Sequence, residues 1–111
     1  MERHTELSTV AGTDLRISKL SLGTAPLGGL FKSVSETESD SMIELAINSG
    51  INYIDTAPLY GYGAAERRVG RAVAGRKSKV SISTKVGRPL RPGTNLETDK
   101  YPDADPGLET Y

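Results

Sequence analysis

Gly50-Ile51-Asn52-Tyr53-Ile54-Asp55-Thr56-Ala57-Pro58-Leu59-Tyr60-Gly61 is the stretch whose reading decides the fold. Its first half, Ile51 to Thr56, is a β-branched and aromatic run bounded by Gly50 and Pro58, which predicts a short strand. The loop Ala57 to Gly63 follows, rich in residues that favour turns. On the upstream side, Ser35 and Glu38 have the spacing of a capping box, and Glu36, Glu38 and Asp40 suit the positive end of a helix dipole. Ile43, Ala46 and Ile47 then form an apolar stripe, so a helix is expected from Glu36 to Asn48, stopped by Gly50. Downstream, Ala65, Val69, Ala72 and Val73 recur at helical spacing. They predict a second helix with Glu66, Arg67, Arg68 and Arg71 on its outer face and Gly75 at its end.

Further out, Lys19 to Thr24 alternates Leu with small or polar residues, the two-residue period of a strand, until Ala25-Pro26 ends it; a Gly-rich loop reaches Lys32. Val80 to Val86 alternates again, with Val80 and Ile82 on one face and Ser81, Ser83 and Lys85 on the other. Strand, helix, strand, helix, strand over residues 19–86 implies parallel strands joined by right-handed crossovers, an α/β architecture. Residues 1–18 read as a hairpin of two apolar segments, Leu7 to Val10 and Leu15 to Ile17, around Ala11-Gly12-Thr13-Asp14. Residues 87–111 hold four of the six prolines and no apolar periodicity, and are expected to be a long loop or disordered tail. The 111 residues form one small domain, in which 24 Leu, Ile, Val and Phe residues suffice for a modest core.

Fourteen basic residues balance fourteen acidic ones, so overall charge favours neither nucleic acid nor membrane as a partner. There is no Cys and a single His, His4, which leaves no thiol nucleophile, no His-based triad and no expected metal site. Apolar runs are too short for a membrane span, and residues 1–10 lack the apolar core of a secretory signal; a cytoplasmic location is expected. Residues 67–91 carry nine basic side chains and no acid, a patch that invites a nucleic-acid reading. Against that reading, no aromatic lies among them to stack on bases, and Arg71 and Arg76 suit a helix C-terminus. Gly61-Tyr62-Gly63 lacks the full pattern of a phosphate loop.

In parallel α/β arrays, functional groups gather where strands end and the following loops begin. Asp55 and Lys85 occupy that place on neighbouring strands, which lie about 4.8 Å apart. Tyr60, five residues beyond Asp55, can fold back over them. A phenol is a poor acid or base at neutral pH, but a nearby ammonium favours its ionised form, so the three together describe a tuned proton donor. Taken singly, an Asp and a Lys at strand ends most often make an ordinary ion pair, and a loop Tyr most often packs.

The stretch Gly50 to Gly61, followed by Glu66, Gly70 and Ile82-Ser83-Thr84-Lys85, resembles the aldo-keto reductase family, as does Leu22-Gly23-Thr24-Ala25-Pro26-Leu27-Gly28-Gly29. Asp55 to Gly61 and Ser83-Thr84-Lys85-Val86-Gly87-Arg88 look most like its aldose (fucose) dehydrogenase branch, with pyridoxal dehydrogenases nearby. The resemblance covers residues 15–90 and implies a TIM-type (β/α)8 barrel of about 250 residues or more. It also implies NADP or NAD as cofactor and hydride transfer to or from a small carbonyl or alcohol substrate. By the same match Tyr60 is the general acid or base, Lys85 lowers its pKa, Asp55 orients Lys85, and Gly23, Thr24 and Ala25 approach the cofactor, as does Asp55. Leu59 and Gly28-Gly29-Leu30-Phe31 are expected to border the substrate. The family's catalytic histidine, after the next barrel strand, has no counterpart here. The chain is therefore expected to be an incomplete barrel, the N-terminal hairpin plus three strands. The alternatives are an inert fragment or a piece that complements another barrel segment, with Val80 and Ile82 at an uncovered sheet edge inviting self-association.

Overall fold

A computed structural model describes residues 6–76, 79–93, 101–105 and 107–110; His4, and Lys77 of the basic run 67–91, lie outside the described residues. Strands β1 (Leu7–Thr9) and β2 (Arg16–Ser18) form the antiparallel hairpin, in register Leu7 opposite Ser18 and Thr9 opposite Arg16. Gly12, at φ 76°, takes the left-handed turn position that a side chain resists. Strand β3 covers only Leu22–Gly23, less than the alternation from Lys19 to Thr24 predicts. The Lys19 N–H is taken by the Glu6 carbonyl at 2.8 Å, which extends the hairpin at the expense of β3.

The Asn52 amide locks this hairpin to the sheet. It accepts from the Ser18 N–H at 2.6 Å and donates to the Arg16 carbonyl at 3.1 Å, while the Asn52 N–H donates to the Ser18 hydroxyl at 3.1 Å. Strands β3, β4 (Tyr53–Asp55) and β5 (Ser81–Ser83) form a parallel sheet in that order. Helices α1 (Glu36–Asn48) and α2 (Ala64–Val73) are its crossovers. The start of α1 follows from its capping box: the Glu38 N–H donates to the Ser35 hydroxyl at 3.1 Å, and the Ser35 N–H to the Glu38 carboxylate at 2.9 Å. Leu27, Ile43, Ile54 and Val69 form the buried core, flanked by Leu22, Val34, Ile47, Ala72, Val73 and Val80. Because side chains alternate along a strand, Ile54 on the helix side sends Tyr53 and Asp55 to the opposite face. Val80 joins the core margin, while Ile82 on edge strand β5 is 47% exposed. No helix among the described residues is long and apolar enough to cross a membrane.

Two expectations are corrected. Residues 87–111 are not wholly a loop: β6 (Leu90–Pro92) pairs antiparallel with β7 (Leu108–Thr110), Arg91 opposite Glu109. Pro92 ends its strand in a two-stranded ribbon, where a missing N–H is tolerated. Between these strands Tyr101 is buried and stacks against Tyr62, ring centroids 5.6 Å apart. The second correction concerns Arg68, assigned above to the outer face of α2 but only 4% exposed. It lies one helical turn past Ala64 and Ala65, whose small side chains leave room for it on the buried face.

The guanidinium of Arg68 ties four segments together. It donates to the carbonyls of Leu27 and Val34, each at 2.7 Å, to Glu36 at 3.0 Å and to Asp103 at 3.1 Å. Asp103 also accepts from the Ser33 hydroxyl and from the Val34 N–H at 2.9 Å. Burial pushes the Asp103 carboxyl up, but the bonds from Ser33, Val34 and Arg68 outweigh it and hold the group below its ordinary 3.8. Glu36 is shared with Arg71, which also pairs with Asp40 at 2.8 Å. Beneath this cluster the chain makes a backbone-to-backbone contact: a Cβ on Gly28 would lie 2.4 Å from the Tyr60 carbonyl carbon, and one on Gly61 would lie 2.2 Å from the Gly28 oxygen.

Four outcomes follow. Arg68→Met should lower the unfolding free energy in urea by about 3 kcal/mol, because it strands buried acceptors and the Asp103 charge. Arg68→Lys should recover little of this, since an ammonium lacks the planar fork that reaches all four acceptors. Asp103 is depressed, so its stabilisation is complete above pH 3.8 and is lost as pH falls through its lower folded value. An Asp103→Asn chain should therefore show a shallower acid loss of stability than the wild type, read from denaturation midpoints across that range. Gly28→Ala should cost about 1–3 kcal/mol through overpacking and shift the backbone resonances of Tyr60 and Gly61.

Candidate active site

The polar face of the sheet converges at the carboxyl ends of β4 and β5. Parallel pairing sets Tyr53 opposite Ser81 and Asp55 opposite Ser83, and the ladder continues as the Thr56 N–H donates to the Ser83 carbonyl at 2.9 Å. Lys85, two residues past that register point, reaches back over the strand ends. Its ammonium donates to Asp55 Oδ2 at 2.8 Å and to the Thr56 carbonyl at 2.9 Å. The Lys85 and Asp55 side chains remain 49% and 35% exposed, so their attraction adds little to stability. What the pair provides is placement of a fixed positive charge.

Tyr60 stands on the loop between β4 and α2, which is wound tightly by its own backbone. The Tyr60 N–H donates to the Ala57 carbonyl at 3.2 Å, the Gly63 N–H to Pro58 at 2.9 Å, and the Ala65 N–H to Tyr60 at 3.1 Å. Gly61 at φ 68° makes the reversal at low cost, and Tyr62 at φ 48° accepts a left-handed backbone that its burial and its stacking on Tyr101 stabilise. So held, the Tyr60 ring lies 5.1 Å from the Lys85 ammonium, centroid to nitrogen. Ala57, Pro58, Leu59, Tyr60, Lys85, Val86 and Arg88 enclose a cleft of about 290 Å³.

The hydrogen bond and charge of Asp55 raise the Lys85 pKa above 10.5 despite some desolvation, and the Tyr60 hydroxyl adds in the same direction. Asp55 is held below its ordinary 3.8, first by Lys85 and then by a bond from Ser83. Both groups therefore stay charged throughout the neutral range. The arrangement can hold a phenol beside a permanent cation at the mouth of an apolar cleft, a geometry suited to moving a proton between that phenol and a bound oxygen.

Asp55, Lys85 and Tyr60, singled out from sequence, thus meet at one site. Gly23 is paired with Asp55 across β3 and β4, and the space where a Cβ would sit is empty for 4 Å. Thr24 is fully buried, its hydroxyl donating to the Asp55 carbonyl at 2.9 Å, and Ala25 opens the 3-10 turn Pro26–Gly28. Leu59 lines the cleft; Gly28 packs beneath the Tyr60–Gly61 peptide, and Phe31 is 72% exposed. Sequence reasoning placed Ser83 on the polar face and Tyr53 within the predicted strand, without giving either a part. The structure joins them to Asp55 through bonds of 2.8 Å and 2.6 Å. No cluster of three or more His, Cys, Asp or Glu suited to a metal occurs among the described residues.

Comparison with known proteins adds to this geometry. Pyridoxal 4-dehydrogenase of Microbacterium luteolum is 45% identical over 83 residues, covering 75% of this chain and 24% of its own length. D-threo-aldose 1-dehydrogenase of a Pseudomonas species is 39% identical over 95 residues, covering 80% of this chain and 29% of its own. The chain thus spans about a quarter of the length of these curated relatives. Among solved structures, a glycerol dehydrogenase from Gluconobacter oxydans superposes on 95% of the chain and 29% of its own, with TM-score 0.69 and 29% identity. The holo form of an aldo-keto reductase from Bacillus halodurans matches 85% of the chain and 29% of its own, with TM-score 0.70 and 34% identity. These likenesses establish the α/β fold. With the family's own sequence model matching residues 19–106, the chain belongs to the aldo/keto reductase family.

Proposed function

We propose that this chain carries the proton-handling corner of an NAD(P)-dependent oxidoreductase that interconverts a sugar-like aldehyde or hydroxy compound with its redox partner. The observation that carries the reading is the Lys85 ammonium, held 2.8 Å from Asp55 and 5.1 Å from the centre of the Tyr60 ring at the edge of a cleft. The substrate class rests on similarity to proteins named as pyridoxal and aldose dehydrogenases.

The residues present fit a nicotinamide cofactor. Gly23 leaves open space above the sheet beside Asp55, so a flat ring can approach the backbone there; Thr24, expected to approach the cofactor, is instead buried and braces the Asp55 backbone from behind. When bound, the cofactor supplies or accepts the hydride. In oxidation the Tyr60 phenolate takes the alcohol proton; in reduction the Tyr60 hydroxyl gives its proton to the carbonyl oxygen. Lys85 stabilises the negative charge that this leaves on the phenol oxygen, and Asp55 keeps the ammonium in place. Leu59 and Pro58 present apolar surface that keeps water from the reacting oxygen.

In this reading the three parallel strands are the first of an eight-stranded barrel, and further contacts to the cofactor come from strands outside this sequence. The edge of β5, where Ile82 is 47% exposed, is where a further strand would pair. Titrated alone with NADPH or NADH and followed by nicotinamide fluorescence, the 111-residue chain is expected to bind weakly or not at all.

In a full-length protein, Tyr60→Phe should reduce turnover by at least about 100-fold while leaving cofactor binding nearly intact. Unchanged turnover would remove Tyr60 from the mechanism. Lys85→Met should lose a comparable factor, and a wild-type rate and pH profile in that variant would refute the pairing of Lys85 with Tyr60.

A further inference from the structure

The Asp55 carboxylate has two oxygens, and they are bound differently. Oδ2 faces the Lys85 ammonium at 2.8 Å, whereas Oδ1 accepts the Ser83 hydroxyl at 2.6 Å. A serine has a single hydroxyl proton, and an ionised carboxylate can only accept. The Ser83 proton is therefore committed to Asp55. The neighbouring contact between the Tyr53 and Ser83 oxygens, at 2.8 Å, must then be donated by Tyr53. The result is a one-way chain, with Tyr53 O–H donating to Ser83 Oγ and Ser83 O–H donating to Asp55 Oδ1. It runs across the sheet and is fixed by the register that sets Asp55 opposite Ser83.

We propose that Ser83, backed by Tyr53, is a positioning residue that fixes the plane of the Asp55 carboxylate and thereby the Lys85 ammonium against Tyr60. A carboxylate anchored at one oxygen cannot turn about its Cβ–Cγ bond without breaking a short hydrogen bond. With Ser83 present, the Lys85 ammonium has one acceptor direction toward Asp55 and a second toward the Thr56 carbonyl, two bonds that together define its position. Without Ser83 the carboxylate is held by Lys85 alone, and the Thr56 carbonyl is the one acceptor still fixed for the ammonium. The inference rests on the reading of Tyr60 and Lys85 as the proton-handling pair.

The charged or titratable groups facing Asp55 are Lys85 beyond β5, Tyr60 on the following loop and Tyr53 on β4 itself. Just past β3 stands the Thr24 hydroxyl, which donates to the Asp55 backbone carbonyl rather than to the carboxylate. On α2, Glu66 accepts from the Thr84 hydroxyl next to Lys85. Ser83 is thus the one neutral donor seen on the carboxylate among the described residues.

The test is a carbon-13 titration of the Asp55 carboxyl in the 111-residue chain, compared among wild type, Ser83→Ala, Ser83→Thr and Tyr53→Phe. Ser83→Ala should move the Asp55 titration upward toward 3.8. Ser83→Thr, which keeps the hydroxyl and suits a strand, should restore it. Tyr53→Phe should shift it in the same direction by less. In the full-length protein Ser83→Ala should lower kcat about tenfold with KM little changed, the scale of losing one hydrogen bond to a charged group. An Asp55 titration identical in Ser83→Ala and wild type overturns the proposal. If Ser83→Ala does not fold, an unshifted Tyr53→Phe overturns it instead. Turnover surviving Tyr60→Phe would sink the functional reading while leaving the Asp55 titration as proposed, so the two failures are distinct.

Discussion

The parallel register of β4 against β5 is the constraint from which the site follows. Setting Asp55 opposite Ser83 puts the carboxylate, the serine hydroxyl and the start of the Lys85 segment on one face of the sheet. Ile54 turns the other way into the core with Ile43 and Val69. A shift of one residue would reverse both halves at once, burying Asp55 among aliphatic side chains and turning Ile54 outward. The apolar core therefore does more than stabilise the sheet. It penalises every register but the one that assembles the polar face.

A second layer of order surrounds that register. Arg68 draws the loop before α1, the first turn of α1 and the segment around Asp103 to one side of α2. The loop it holds includes Gly28, whose backbone lies against the Tyr60–Gly61 peptide. Tyr60 is thus steadied from below by a contact that only two glycines permit, and that contact is steadied by a buried cation. The Tyr62–Tyr101 stack adds a third attachment on the same loop. A phenol on a loop is mobile by default; here four separate stretches of chain limit where it can go.

Much of this was legible in the residues themselves. The ends of α1 are written locally, since Ser35 and Glu38 satisfy each other within one turn and Gly50 supplies the left-handed stop at φ 102°. The meeting of Asp55 with Lys85 needed only strand alternation and parallel topology. Arg68 was misplaced because its burial depends on acceptors from Leu27, Val34 and Asp103, up to 41 residues away, and a helical pattern shows none of them. Strands β6 and β7 carry no alternation and depend on each other across an intervening segment, so neither announces itself alone. Ser83 looked like any polar strand residue; its significance lies in which atom stands opposite.

The clasp between Asn52 and the hairpin also has a chemical vulnerability. The Asn52 side chain serves as acceptor toward the Ser18 N–H and as donor toward the Arg16 carbonyl, a dual part that a carboxamide alone can fill. Slow hydrolysis to aspartate, nearly identical in shape, would set a negative oxygen against the Arg16 carbonyl. The hairpin would then lose its clasp at the end of the sheet opposite Asp55 and Lys85, so that change would strike the fold far from its chemistry.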